Sequence, residues 1–448
     1  NVVKHPYRVF ISYSHQDREL ATRLEAHLRS KGLFPITDHE IRVGEAFSEE
    51  IREMIECAHV FMPLVTPSAN ERLWVQQEIG YATALHVPVC PVAVGNLPSG
   101  MAEHIQGIHI ADVGGKSLAD DDVMAIVSDR LTYEMIDDLV RRARRRPRQG
   151  RYDCALYWTD RQELLVTLTE AAYRGGCKLI KNRAKSEHVN RGAWRLRQCT
   201  AFGSFSIPDA GVNSELWETR DKDRYRSQHE RRLLRRERQA MEAYTTCFGC
   251  DLIMDPRIDV KKLTAAAPTW AGSAAGVTGK AEMKIRSAHA DHKTVFKHAA
   301  SRTALRVRLI IDFIRDHKDD DCVRVVIPAT PGQITTNLII VGDWFAAEAV
   351  VPLYHSGGYE RTMFTRHAPT VLNTIDRFNQ DFEDHLRGAG FDPGQPSTIR
   401  KAKQAALDML HHWYKELQAL ATVQSDSVPV RQQLLPARDA GARSSPRN

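Results

Sequence analysis

No stretch of the 448-residue chain approaches the roughly 18 consecutive apolar residues that a membrane-spanning helix needs. No basic-then-apolar pattern opens it, so nothing in the sequence directs export. A chain that begins at Asn1 leaves room for a trimmed leader. Cysteine is sparse, with eight residues in mostly apolar or mixed contexts. A disulfide framework is therefore not expected, and a reducing cytoplasm is the expected setting. No internal repeat is present. A 42% hydrophobic and 26% charged composition excludes collagen-like, wholly disordered and coiled-coil chains. At roughly 100–200 residues per domain, the length predicts two to four domains.

The net charge of +6 conceals an asymmetry. Residues 1–140 hold 11 Lys/Arg and 21 Asp/Glu, a balance of −10. Subtracting these from 62 and 56 leaves 51 basic and 35 acidic residues, a balance of +16. The acidic part is a poor nucleic-acid binder, whereas the basic part suits phosphates. Two jobs in one chain are expected.

The first part alternates apolar runs with amphipathic stretches. Strands are predicted over 8–14, 33–37, 60–66, 87–94 and 108–113. Helices are predicted over 17–31, around Phe47 to Ile55, over 74–85 and over 120–142. Leu20, Leu24 and Leu28 form one helical face, and Gly32 ends that helix. This β-α-β-α order predicts a parallel sheet covered by helices on both faces. Ligands of such sheets bind beyond the carboxyl ends of the strands. Those ends carry Ser12, Tyr13 and Ser14, then Asp38, Thr66 and Gly95.

Five motifs in order resemble the TIR family. Phe10-Ile-Ser-Tyr-Ser14 with Asp17 resembles its first strand, and Asp38 with Ile41 and Gly44 its second strand end and BB loop. Val65-Thr-Pro67 resembles the third strand end, Trp74-Val-Gln-Gln-Glu78 the Trp-x-x-x-Glu element of enzymatic members, and Val87-Pro-Val the next strand. The resemblance covers about residues 7–140. It implies a flavodoxin-like five-stranded parallel sheet, followed here by a larger mixed α/β domain. It also implies either a signalling scaffold or an enzyme that cleaves NAD+ at the nicotinamide–ribose bond. No Gly-x-Gly-x-x-Gly follows the first strand, so NAD+ is expected as a substrate and not as a resident redox cofactor. No cofactor and no metal are expected.

The chemistry of that bond fits a single carboxylate. Nicotinamide leaves as a neutral base, so no general acid is required. The transition state is an oxocarbenium-like cation, which one carboxylate can stabilise. Glycosidases pair two carboxylates because their leaving group is a poor alkoxide. Glu78 matches the family's catalytic position. On the residues alone it is a helix carboxylate. Trp74 lies one turn before it on the same face and either walls a pocket or packs the helix start. Ser12 and Tyr13 are candidates for the substrate's ribose or phosphate, or an ordinary strand end. Asp38 shapes the pocket or caps a turn. Arg42 pairs with a phosphate or a neighbouring TIR domain, or is solvated.

Arg141 to Arg151 contains seven arginines with Pro147 and Gly150 and reads as a linker. The expected organisation is a TIR domain at 1–140, the linker at 141–151, a mixed α/β sensor or regulatory domain at 152–395, a C-terminal helix at 396–424 and a disordered tail at 425–448. Within the second part, helices are predicted over 163–174, 221–244, 304–317 and 371–386. Strands are predicted over 177–180, 252–254, 323–327 and 338–343. Cys247-Phe-Gly-Cys250 is half of a zinc-site pattern without a second Cys/His pair of suitable spacing nearby.

A TIR domain joined to a basic, larger region resembles prokaryotic immune effectors. That resemblance implies a cytoplasmic antiviral NADase, activated by self-assembly and by an anionic trigger, a nucleotide signal or nucleic acid, at the basic region. Two alternatives stand beside it: a TIR enzyme making a cyclic ADP-ribose-type messenger, and a non-enzymatic adaptor.

Overall fold

The computed structural model describes residues 4–37, 47–70, 73–95, 103–110, 121–145, 152–181, 191–207, 228–257, 297, 300–317, 321–330, 333–334, 336–350 and 361–422. Five parallel strands form the first sheet: β1 (Arg8–Ser12), β2 (Phe34–Thr37), β3 (Val60–Val65), β4 (Val92–Val94) and β5 (Ile108–Ile110). Their order is β2-β1-β3-β4-β5, that of a flavodoxin-like sheet, and all pairs are parallel, as the alternating pattern predicts. Around them lie α1 (Arg18–Ser30), α2 (Phe47–Cys57), the short α3 (Pro67–Asn70), α4 (Leu73–Ala84), α5 (Asp121–Arg130) and α6 (Tyr133–Arg144). β1 is buried along its whole length because both of its faces are covered. Val9 and Ile11 face a cluster with Leu20, Leu24 and Val127. Phe10 faces another, with Ile51, Phe61 and Ile79.

The expected helix over 120–142 is two helices. Thr132 lies between them in extended backbone and caps α6 by accepting from the Met135 N–H at 3.2 Å. The arginine run begins inside α6, which reaches Arg144. Arg141 and Arg142 pair with Asp137 and Asp138 one turn back.

The second part carries a seven-stranded mixed sheet: β6 (Asp153–Ala155), β7 (Leu196–Thr200), β8 (Cys250–Met254), β9 (Val323–Val326), β10 (Thr336–Val341), β11 (Phe345–Val350) and β12 (Thr362–Thr365). Their order is β6-β12-β11-β10-β7-β8-β9. The β7-β8-β9 end is parallel and the remainder antiparallel. Its helices are α7 (Trp158–Lys181), α8 (Gln228–Phe248), α9 (residues 300–316), α10 (Ala368–Gly388) and α11 (Pro396–Thr422). Cys177–Ile180, expected as a strand, is the last turn of α7. Gly175 and Gly176, between the expected helix and the expected strand, lie inside α7 and serve packing. A Cβ there would lie 2.7 Å from the Trp344 ring and 2.6 Å from the Phe248 ring. All eight cysteines are free thiols. No helix of the described residues is long and apolar enough to cross a membrane.

The two parts are joined by buried charge. The Gly342–Trp344 turn of the β10–β11 hairpin carries Asp343 to the amino end of β1. Arg8 donates from Nη1 to the Asp343 carboxylate and from Nη2 to its backbone carbonyl at 3.0 Å. Its Nε donates to the Cys57 carbonyl at 2.8 Å, and its guanidinium lies 4.1 Å from the Trp344 ring centroid. The other Asp343 oxygen lies 2.9 Å from His5 Nε2 and 3.3 Å from His59 Nε2. Arg8, His59 and Asp343 are fully buried. Further contacts run from Arg366 to Glu56, from His367 Nε2 to the His86 carbonyl at 3.2 Å, and from Arg144 to Asn373 and Asp376. Phe34 meets Trp194 edge-on with centroids 5.5 Å apart.

Asp343→Ala strands the Arg8 charge in the interior and is expected to destabilise the chain by about 3–5 kcal/mol, measured by urea unfolding. Burial, aided by the Arg8 charge, lowers His59 to about 3, while an unfolded histidine titrates near ~6.5. Between those values the unfolded chain binds a proton that the folded one refuses. Stability therefore falls as pH drops from about 6.5 towards 3, by up to about 1.4 kcal/mol per pH unit. Asp343, held well below the carboxylate range, contributes stability that is full above its unfolded value near ~3.9 and is lost progressively as pH falls from there through its folded value. His59→Asn keeps an acceptor for the Arg8 N–H. It is expected to reduce this slope without abolishing it, since burial also lowers His367 and His385.

Candidate active site

The strand alternation of β1 sets the site. Ser12 shares a face with Phe10, the face covered by α4. On α4, Val75, Ile79 and Ala82 make a buried stripe at helical spacing. Glu78 falls within that stripe, where an apolar residue would otherwise sit. Its side chain follows the stripe inward, leaving the residue 4% exposed. Its Oε2 accepts a hydrogen bond from the Ser12 hydroxyl at the carboxyl end of β1. A buried carboxylate is costly unless it is hydrogen-bonded, so this pairing is a constraint on both side chains.

Beside it, the carboxyl end of β3 supplies a second polar pair. The Thr66 hydroxyl donates to Asp17 Oδ2 at 2.7 Å and accepts from the Ala69 N–H at 3.1 Å. Asp17 follows a turn closed by its own N–H on the Ser14 carbonyl at 2.7 Å. Ser12, Ser14, Asp17, Thr66 and Glu78 are all buried. Five polar residues so confined at the carboxyl ends of parallel strands are placed where such sheets bind ligands.

The expected site residues divide. Ser12 and Glu78 meet. Tyr13 turns to the other side of the sheet and packs in the cluster of Val9, Ile11 and Leu20. Trp74 lies in the first turn of α4, one turn before Glu78, and its side chain is not among those described. Asp38 and Arg42 lie outside the described residues. Asp17 and Thr66 stand in the sequence motifs, but nothing local signals that they bond each other across 49 positions.

His5, His59 and Asp343 bring one ligand-type atom each to within 4.8 Å of one another. Their hydrogen bonding does not fit a metal ion. His59 Nδ1 accepts the Arg8 backbone N–H at 2.9 Å, so the proton of the neutral ring sits on Nε2, the atom nearest Asp343. Arg8 already compensates the Asp343 charge.

Thr66→Val removes one donor from the buried Asp17 carboxylate and the acceptor of the Ala69 N–H. A loss of about 1–3 kcal/mol is expected in chemical denaturation, with Thr66→Ser retaining most of the native stability.

No curated protein matches the chain. Residues 9–127 match the family model described as TIR domain. The strand order, the helices between the strands and the buried Glu78 all lie in that segment. The N-terminal part of this chain is a TIR domain.

Proposed function

We propose that this TIR domain cleaves NAD+ at its nicotinamide–ribose bond, with Glu78 as the catalytic carboxylate. The observation that carries the reading is the buried Glu78 side chain bonded to Ser12 at the carboxyl end of β1. The bond between the ribose anomeric carbon and the pyridinium nitrogen breaks, and its electron pair stays with nicotinamide. The positive charge passes to the ribose, where an anion in a site shielded from water counts for more than one in solvent. Water then adds to that carbon and releases a proton, giving ADP-ribose. Ser12 is a positioning residue, because its hydroxyl fixes one oxygen of Glu78.

The wider reading is a prokaryotic antiviral effector that self-associates through its TIR domain. Its basic second part would answer an anionic trigger. An NADase that is always active would poison its own cell, which argues for such control.

Glu78→Gln keeps the shape of the side chain and removes its charge. NAD+ loss is expected to fall by about 10²–10³-fold with an unchanged melting temperature. Equal loss in both proteins would remove Glu78 from the mechanism. No loss from the native chain, at high protein concentration and with nucleotide or nucleic-acid triggers, would favour an adaptor. Chromatography of the product separates ADP-ribose from a cyclic form made by attack of an adenine nitrogen.

A further inference from the structure

The parallel end of the second sheet buries charge where apolar side chains would be expected. Arg197 on β7, Asp251 on β8 and Arg324 on β9 are direct cross-strand neighbours, so they form one row on one face. Arg195, two residues before Arg197, joins them. The three arginines, without Asp251, line an open cavity of about 460 Å³, with Asn379 and Phe382 of α10 and Ile399 of α11 on its far side. That volume falls in the range of small-molecule sites, roughly 300–1,000 Å³.

The charges in this cavity do not balance. Asp251 accepts from Arg324 Nε at 2.6 Å and Nη2 at 2.5 Å, and from Arg195 Nε at 2.7 Å. Burial would raise its carboxyl, but Arg324, Arg195 and Arg197 outweigh that and hold it below the usual range. One carboxylate thus bonds two guanidinium groups and stands beside a third. Arg197 is 3% exposed, and among the described residues its bonds go only to neutral oxygens. These are Asn379 Oδ1 at 3.2 Å, the Arg195 carbonyl at 2.9 Å and the Gly192 carbonyl at 3.0 Å. Those three bonds leave two of its five N–H groups uncommitted. A buried guanidinium that shares its nearest carboxylate, Asp251, with two other arginines is costly, and an anion in the cavity would offset that cost.

Two carboxylates also line the cavity. Asp321 is 70% exposed at its side chain, with Arg400 Nε 3.9 Å away. Glu383 is 48% exposed and pairs with Arg387 at 2.8 Å. Both are solvated and lie outside the buried row, so the inner wall stays cationic. Phe382 and Ile399 supply an apolar side.

We propose that this cavity binds a small phosphate ester of mononucleotide size, its phosphate held by Arg197 and Arg324 and its apolar body set against Phe382 and Ile399. Planar guanidinium groups suit phosphate because two parallel N–H bonds match two of its oxygens. That such a ligand serves as the trigger rests on the NAD+-cleaving reading above. The binding itself does not. α10 gives it a short route to the TIR domain, since Asn373 and Asp376 of that helix bond Arg144 of α6.

Calorimetry on the full chain tests it with AMP, inorganic phosphate and adenosine as probes. AMP and phosphate are expected to bind, adenosine at least about tenfold more weakly than AMP. Affinity is expected to fall between about 0.05 and about 0.3 M salt. Arg197→Gln is expected to weaken AMP at least about tenfold. Because Arg197 is buried, the solvated variant Glu383→Gln provides a second test, with AMP tightened about threefold by removal of a like charge. Glu78→Gln separates this cavity from the TIR site and is expected to leave AMP affinity unchanged. Absence of heat with AMP and phosphate, equal binding of adenosine, no gain in Glu383→Gln, or AMP binding lost in Glu78→Gln but kept in Arg197→Gln would each overturn the proposal. Since no arm measures NAD+ loss, failure here leaves the catalytic reading standing, and the reverse also holds.

Discussion

Arg8 opens β1, and its guanidinium is buried against Asp343, a residue 335 positions away. Taking two charges out of water costs several kcal/mol for each ion, and the cost is recovered only with good geometry and every remaining donor and acceptor in use. Here each guanidinium nitrogen of Arg8 finds an oxygen partner. Arg8 bonds the Asp343 carboxylate, the Asp343 carbonyl and the Cys57 carbonyl, while His5 and His59 approach the second carboxylate oxygen. The hairpin turn that carries Asp343 can therefore sit in one place against the TIR sheet. Apolar packing follows the same seam, with one cluster running from Ile136 and Val140 of α6 to Val371 and Phe378 of α10.

The same strand ends at the candidate catalytic pair. Arg8 and Ser12 are the first and last residues of β1, about 13 Å apart at 3.3 Å per residue. Arg8 ties the amino end to the second part of the chain, and Ser12 holds Glu78 at the carboxyl end. β1 is an interior strand paired on both sides, so the position of the interface and the position of the site are mechanically related. An activating signal that shifted the hairpin would act on the strand bearing Ser12.

Two buried charge clusters in this molecule differ in their balance. At the interface one arginine meets one carboxylate, and the nearby histidine is kept neutral by burial. In the second sheet three arginines surround one carboxylate, and Arg197 bonds only neutral oxygens. The first has the composition of a structural joint. The second has that of a receptor for an anion. Neither is distinguishable by counting charges along the chain, because the +16 balance of the second part is spread over surface helices such as α8 as well.

The sequence by itself determined the elements whose signal is local. The five parallel strands and the α1 face follow from alternating apolar runs and helical spacing, whereas Tyr13, expected beside Ser12 at the site, turns to the opposite face. Glu78 stood out through an ordered set of short motifs, and the apolar stripe around it at Val75, Ile79 and Ala82 accounts for its burial. Tertiary structure decided whatever depends on register or on distant partners. Cys177–Ile180 reads as a strand, yet α7 runs through it, with Trp344 and Phe248 packed against Gly175 and Gly176. The Arg197–Asp251–Arg324 row exists only once β7, β8 and β9 are aligned, because strand register sets which side chains stand side by side. The Arg8–Asp343 pair exists only once the hairpin is docked. Ion pairs and cavities are properties of positions in space, and a chain encodes those through the whole fold and not through spacing along it.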